Sequence, residues 1–262
     1  REQYREHGTY FPDIVTRESI EFITNHRDNP FFLFVSYNQP HYPLQPEERF
    51  LRHYGHVEGA RRIYGATVTS LDDKIGQLMA ALDEQGLRDN TIVVLMSDNG
   101  HSEEDSAEGG GGSAGVFRGA KKTMFEGGIR VPCIISCPGK IPQNQVRRQM
   151  GTAMDWLPTL AQYCGLDTGN LALDGQNLGQ VIGGDHPTPH QTLHWLLGTA
   201  WAAREQDWKL ISTSDGIFLS DLGSDPGESH NLALDRPDIV TRLQARHDAW
   251  LATGITPIYQ LQ

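Results

Sequence analysis

Basic residues are under-represented in this chain. Its 262 residues hold 22 Lys and Arg against 33 Asp and Glu, a formal charge of −11, and the pI is near 5.4. Phosphate contacts need a basic face, so this balance argues against a nucleic-acid partner. It also repels anionic substrates at long range, and any anion site must therefore be locally basic. Long apolar runs are missing as well: none approaches the roughly 18 residues of a membrane span. Cysteine is sparse, and Cys133, Cys137 and Cys164 lack metal-finger spacing and leave at least one thiol unpaired. Cys133 and Cys137 fall in an apolar segment, which predicts buried, inert thiols. No internal repeat is present. Residues 1–8 (REQYREHG) contain neither a signal-peptide apolar region nor an initiator Met; the expectation is a piece of a longer protein.

What is present describes a soluble globular protein, with 38% hydrophobic residues and a mean hydropathy of −0.45. At about 150 residues per domain the chain holds one large or two small domains. Its organising stretch is residues 91–100 (TIVVLMSDNG). The apolar run from Ile92 to Met96 predicts a strand buried on both faces, central in a parallel sheet. Asp98 and Asn99 follow its end, where open α/β sheets bind ligands. A carboxylate beside an amide oxygen is a hard oxygen pair suited to Ca²⁺ or Mg²⁺. The same residues are also common turn formers.

Residues 13–26 predict a helix through Ile14, Ile20 and Ile23, ended at Asn29-Pro30. Residues 31–37 (FFLFVSY) predict a second buried strand, aromatic and β-branched. His41 follows in a loop stiffened by Pro40 and Pro43. Residues 61–85 predict a crossover helix packed on the sheet through Tyr64, Val68, Leu71, Ile75, Leu78 and Leu82. Asp72, Asp73 and Lys74 then lie on its outer face, and Gly86 caps it. Residues 100–115, glycine-dominated and aperiodic, predict a surface loop of the kind that covers active sites. Arg118, Lys121 and Lys122 precede the glycine pair Gly127-Gly128. Residues 129–136 return to strand, and 152–164 predict a helix with Asp155 in its early turn. Residues 166–190 read as a connection. Beyond it, 193–197, 201–204, 208–212 and 217–222 predict an antiparallel meander, with a helix over 237–252 against it. The division is an α/β core, 1–184, and an antiparallel sheet-plus-helix subdomain, 185–262.

Four stretches, in order and spacing, resemble the sulfatases of the alkaline phosphatase superfamily, in their arylsulfatase-like branch. They are FFLFVSYNQPHYPLQ (31–45), SLDDKIGQLMAALDEQGLRDNTIVVLMSDNG (70–100), FRGAKKTMFEGGIRVPCIISCPGKI (117–141), and W-x-x-R-x-x-D-W-K-L (201–210) with DLGSDPGESHNLA (221–233). The resemblance implies part of an alkaline-phosphatase-like sandwich, α/β with a mixed, mainly parallel sheet, plus the small C-terminal α+β subdomain. It implies that Asp98 and Asn99 match the metal pair, usually for Ca²⁺, with Mg²⁺ as the alternative. It implies that His41 contacts the ester and protonates the departing alcohol, and that Lys121 neutralises a sulfate oxygen. Lys122 stays open beside Lys121. Arg118 and Glu126 fall within the motif as residues that shape the loop. A divalent ion, an ammonium and an acid converging on one ester suit sulfate ester hydrolysis, which spreads negative charge over sulfuryl and leaving oxygens.

The family's nucleophile, a formylglycine made from a Cys/Ser-x-Pro-Ser-Arg motif, has no counterpart here: Cys133 precedes Ile-Ile-Ser, Cys137 Pro-Gly-Lys and Cys164 Gly-Leu-Asp. The upstream acidic metal ligands and the Gly-Lys-x-His segment are also absent. The expectation is a C-terminal portion of a sulfuric ester hydrolase, its formylglycine upstream, inactive by itself. The alternatives are a phosphate or phosphonate ester hydrolase on the same fold, or a truncated non-catalytic chain. The implied partner is a sulfated small molecule or carbohydrate, with neither nucleic acid nor a membrane span. The implied location is periplasmic or secreted.

Overall fold

The computed structural model describes residues 10–104, 110–169 and 171–254, which form two compact units. The first contains the chain up to Met96 together with His101–Ser113 and Cys133–Gly139; the second contains Ser97–Gly100, Ala114–Pro132 and the chain from Lys140 onward. Residues 1–8, and part of the glycine-rich loop, lie outside the described residues.

The first unit is built on two helices, α1 (Phe11–Asn25) and α3 (Gly59–Glu84), with a single turn, α2 (Glu48–Leu51), between them in sequence. Pro12 supplies the fixed φ that suits a first helical turn. The face α1 buries is Pro12, Thr16, Ser19 and Ile23, a stripe at helical spacing. Thr16 and Ser19 satisfy their hydroxyls locally, donating to the Pro12 and Val15 carbonyls at 2.7 Å each. The buried face of α3 carries Ala66, Thr67, Ser70 and Lys74. The apolar stripe expected to pack on a sheet is less covered, and Val68 is exposed. Lys74, expected on the outer face, is buried instead, with its ammonium 2.6 Å from Asp13 and 3.1 Å from Glu47.

Strand β1 (Val93–Met96) pairs with β2 (Cys133–Ser136), antiparallel, Leu95 opposite Ile134. The α/β class stands, but every ladder among the described residues is antiparallel, where a mainly parallel sheet was expected. Nor is β1 buried on both faces: Leu95 is 42% exposed and Ile134 is 60% exposed. Residues 31–37 make no ladder at all. They run extended with alternate residues outward, Phe32 at 76% and Phe34 at 78% exposure. A strand needs a neighbour to accept its amides, and no described segment offers one. Of the two thiols expected to be buried, Cys137 is and Cys133 is exposed.

The second unit centres on the sheet β3 (Leu193–Leu197), β4 (Ala200–Glu205), β5 (Trp208–Thr213) and β6 (Gly216–Asp221), an antiparallel meander in sequence order. Its two faces sort by side-chain alternation. Ala203, Leu210 and Leu219 meet Ile239 and Leu243 of helix α7 (Pro237–Leu251). Ala202 and Ile211, on the opposite face, pack against Met124, with Phe125 and Phe218 beside them. The unit also holds α4 (Glu126–Ile129), α5 (Trp156–Tyr163) and α6 (Gly179–Gly184), the last within what the sequence suggested was plain connection. A capping box opens the turn before α5: Thr152 accepts from Met154 N, and Asp155 accepts from Thr152 N. Buried Asp155 also takes His190 Nε2, at 2.8 and 2.9 Å to its two oxygens. Burial pushes the Asp155 carboxyl up, but that imidazole and the Gln176 and Thr152 amides hold it low.

Candidate active site

Asp98 leaves the end of β1 in a local turn. Its Oδ1 accepts the Asn99 amide at 2.9 Å, while Ser97 donates its hydroxyl to the Asn99 carbonyl at 3.0 Å. Among the described residues no other protein group bonds the Asp98 carboxylate or the Asn99 side chain, and Asp98 is exposed.

Gly100, next in the chain, lies on the backbone of the Gly127-Gly128 pair. Its amide donates to the Gly128 carbonyl at 2.9 Å, and a Cβ there would stand 1.9 Å from the Gly127 carbonyl oxygen. Gly127 in turn donates to the Arg118 carbonyl at 2.7 Å, and its own Cβ would meet the Gly119 carbonyl oxygen at 2.1 Å. Three backbones thus touch where side chains have no room. This stacking puts the segment bearing Asp98 and Asn99 beside the loop bearing Lys121.

That loop turns at Ala120–Thr123, where the Thr123 hydroxyl donates to the Ala120 carbonyl at 2.8 Å. Lys121 is half-buried, with no ion pair or hydrogen bond among the described residues. Lys122 is exposed and sits at φ 72° in the left-handed region. Arg118 and Glu126, at the loop's two ends, anchor it. The Arg118 guanidinium lies 4.0 Å from the Phe125 ring centroid and 5.0 Å from that of Phe218, and donates to the Glu228 carbonyl at 3.1 Å. Glu126 is buried against the Lys209 ammonium at 3.0 Å.

His41 belongs to the other compact unit. Its amide donates to Asn38 O at 2.9 Å. Its ring stacks on Tyr42 with centroids 4.4 Å apart. Nδ1 is 2.7 Å from the Tyr42 carbonyl. That contact makes Nδ1 the protonated nitrogen of the neutral ring, leaving Nε2 for an outside partner. The structure therefore groups Asp98, Asn99 and Lys121 in one unit and holds His41 in the other.

The donor set can be tested against Ca²⁺. Asp98 and Asn99 offer hard oxygens, the ligand type this ion takes, and the one donor on their side chains among the described residues is the Asn99 amide on Asp98 Oδ1. Among the described residues no group of three or more His, Cys, Asp or Glu is placed to hold a metal. The pair fits as part of a hard-cation site and not the whole of one.

Sequence reasoning missed what receives Glu126: Arg204, Lys209 and Glu228. All three stand in the tail motifs, yet nothing in those motifs assigned them a partner. The available signal was a lysine alternating into the core of a strand, Lys209 between Trp208 and Leu210.

Comparison with known proteins settles the family. Residues 1–166 match the model described as Sulfatase, and 112–249 the one described as N-sulphoglucosamine sulphohydrolase, C-terminal. The chain belongs to the sulfatase family. It is 29% identical over 256 residues to the N-acetylgalactosamine-6-O-sulfatase of Bacteroides thetaiotaomicron, covering 88% of this chain and 49% of that protein. It is 31% identical over 244 residues to arylsulfatase A of Bos taurus, covering 82% and 46%. The crystal structure of Ps i-CgsB superposes with a TM-score of 0.87 at 26% identity, covering 95% of this chain and 56% of that one. The fold is that of the sulfatases in the alkaline phosphatase superfamily. The chain spans about half the length of the curated relatives it matches. The family in general depends on a metal and a formylglycine.

Proposed function

We propose that this chain carries the metal-binding and oxyanion-neutralising part of a sulfuric ester hydrolase, acting on sulfated carbohydrates or other sulfated small molecules outside the cytoplasm. The observation that supports it most is the glycine stack, which sets the segment bearing Asp98 and Asn99 beside the loop bearing half-buried Lys121, whose ammonium has no protein counter-ion among the described residues. A bound Ca²⁺ would supply Lewis-acid stabilisation of a sulfuryl oxygen. Lys121, in preference to exposed Lys122, neutralises a second oxygen as charge spreads in the transition state. His41, with Nδ1–H donated to the Tyr42 carbonyl, presents Nε2 outward, and in its doubly protonated form gives the Nε2 proton to the leaving oxygen as general acid. None of Cys133, Cys137 and Cys164 stands in a formylglycine motif, so attack is assigned to no residue of this stretch. The subdomain that begins at residue 185 backs the Lys121 loop through Ala202 and Ile211 against Met124.

Equilibrium dialysis of the chain with radiolabelled sulfate, with Ca²⁺ present, tests this reading. Sulfate binding that is lost in Lys121→Ala supports it; tighter retention of inorganic phosphate would move the assignment to phosphate esters. Hydrolysis of p-nitrophenyl sulfate should be absent. Turnover that survives purification and vanishes in His41→Ala would show that this stretch supplies its own nucleophile.

A further inference from the structure

One buried face of the β3–β6 sheet is not apolar throughout. Arg204, Lys209 and Ser220 lie side by side across three strands, in register as Arg204 opposite Lys209 and Lys209 opposite Ser220. Lys209 and Ser220 are fully buried. Two carboxylates enter this row from outside the sheet. Glu126 Oε1 and Glu228 Oε1 each lie 3.0 Å from the Lys209 ammonium. Glu126 Oε2 is 3.4 Å from Arg204 and 3.4 Å from Arg130. Glu228 Oε2 accepts the backbone amide of Glu126 at 2.6 Å, and its Oε1 is within 3.4 Å of the Ser220 hydroxyl.

We infer that Lys209, acting through Glu126 and Glu228, is a positioning residue: it fixes the Arg118–Glu126 loop so that Lys121 meets a sulfuryl oxygen. The inference rests on the function proposed above. Burying an ion set of this kind confers little net stability, because desolvation offsets the attraction, and an apolar replacement of equal volume does as well. What charged hydrogen bonds add is direction. Here Lys209, Arg204 and Arg130 converge on the carboxylate of Glu126, the residue closing the loop, and Glu228 takes its backbone amide. The loop has little regular structure to hold it otherwise. At its other end the Arg118 side chain donates to the carbonyl of the same Glu228. Glu228 thus ties both ends of the loop, through its carbonyl at Arg118 and its carboxylate at the Glu126 amide, and Lys209 pairs with both buried carboxylates. Lys121 sits between those ends with its own side chain unpaired among the described residues.

The test is sulfate dialysis on the full chain with Ca²⁺, at a temperature well below the melt of each variant. Lys209→Met strands two buried carboxylates and can unfold the protein, so the informative variants are Glu126→Gln and the charge-balanced pair Lys209→Met with Glu228→Gln. Both should bind sulfate about tenfold more weakly, since small misplacements of a binding group carry penalties of that size or more. Amides 118–125 should exchange with deuterium faster in both, while those of β3–β6 keep their protection. Lys209→Arg, which keeps the cation, should recover sulfate binding. A purely structural network would lower the melting temperature and leave sulfate affinity of the folded protein unchanged, which overturns the inference. If Lys121→Ala itself leaves binding intact, the proposed site fails, and the inference with it. If Lys121→Ala abolishes binding while the network variants do not affect it, the inference alone fails.

Discussion

The Nδ1 atoms of His194 on β3 and His247 on α7 face each other at 3.3 Å. His247 is fully buried, its ring stacked on Trp201 with centroids 4.1 Å apart, while His194 stacks on Trp250 at 4.9 Å. Only one Nδ1 can carry the shared proton, so the two rings cannot both be charged. The buried Nε2 of His247 has no partner among the described residues. Burial, then His247 and Arg246 nearby, holds the His194 imidazole down to about 4. Burial lowers His247 too, against Asp248. Arg246 is itself paired to Glu205 of β4 at 2.7 Å.

Acid should therefore loosen α7. Both groups bind protons more readily unfolded, near pH 6.5, than folded, so their contribution is complete above about pH 6.5. The His194 part declines as pH falls and is gone below its folded value of about 4, and His247 acts in the same direction. Allowing for the partial exposure of His194, the loss is on the order of 2 kcal/mol. Urea titrations followed by tryptophan fluorescence at pH 7.5, 6 and 5 should show it. His194→Phe should flatten the pH dependence; an unchanged slope would falsify the assignment.

Gly100 should not tolerate a side chain. A methyl group there would collide with the Gly127 carbonyl, a backbone atom that moves only if the glycine pair moves. Gly100→Ala should cost about 1–3 kcal/mol, the range for overpacking. Its larger effect should be on sulfate retention, because the Asp98 segment must part from the Lys121 loop. A variant that melts earlier yet binds sulfate normally would show that the two segments function independently.

Ca²⁺ binding to this chain should be weak. The ion takes about six to eight oxygens, and Asp98 with Asn99 supplies a fraction of them. Calorimetry should give a dissociation constant above about 100 µM, in the range of the weakest protein sites. Micromolar binding abolished by Asp98→Ala would mean that further ligands exist within these residues.

The contrast between what the sequence revealed and what it hid is physical. The meander was legible because each of its strands pairs with the next in sequence, and short alternating runs between turns suffice. The two long helices were legible from spacing, but their contact faces were not. Thr16, Ser19 and Ser70 are buried polar residues, and Lys74 is buried only because Asp13 and Glu47 come to it. Lys209 is the same case: its partner Glu126 lies 83 residues away. A charge reads as surface until its counter-charge is located, and local patterns do not locate it. Asp98, Asn99 and Lys121 came from motif resemblance, and the glycine stack that groups them became visible only in three dimensions. Residues 31–37 failed in the opposite sense, since composition announces a strand but cannot supply its neighbour.

That unpaired stretch leads to the last expectation. Phe32 and Phe34 project from the same side of an extended segment and are more than three-quarters exposed. Leu95 and Ile134, cross-strand neighbours in the β1–β2 ladder, are also outward. Exposed apolar side chains beside unpaired backbone amides are templates for strand pairing with another chain, and soluble monomers rarely leave contiguous apolar surface of that kind uncovered. The protein by itself should therefore associate at micromolar concentration and bind apolar dyes. Light scattering with and without Phe32→Ser and Phe34→Ser measures the contribution of this segment. The double variant should shift the population towards monomer, and Leu95→Thr with Ile134→Thr should add to the shift. A wild-type chain that runs as a monodisperse monomer with a single cooperative melt and no dye binding would mean that these faces need no cover. In that case the extended segment is stable unpaired.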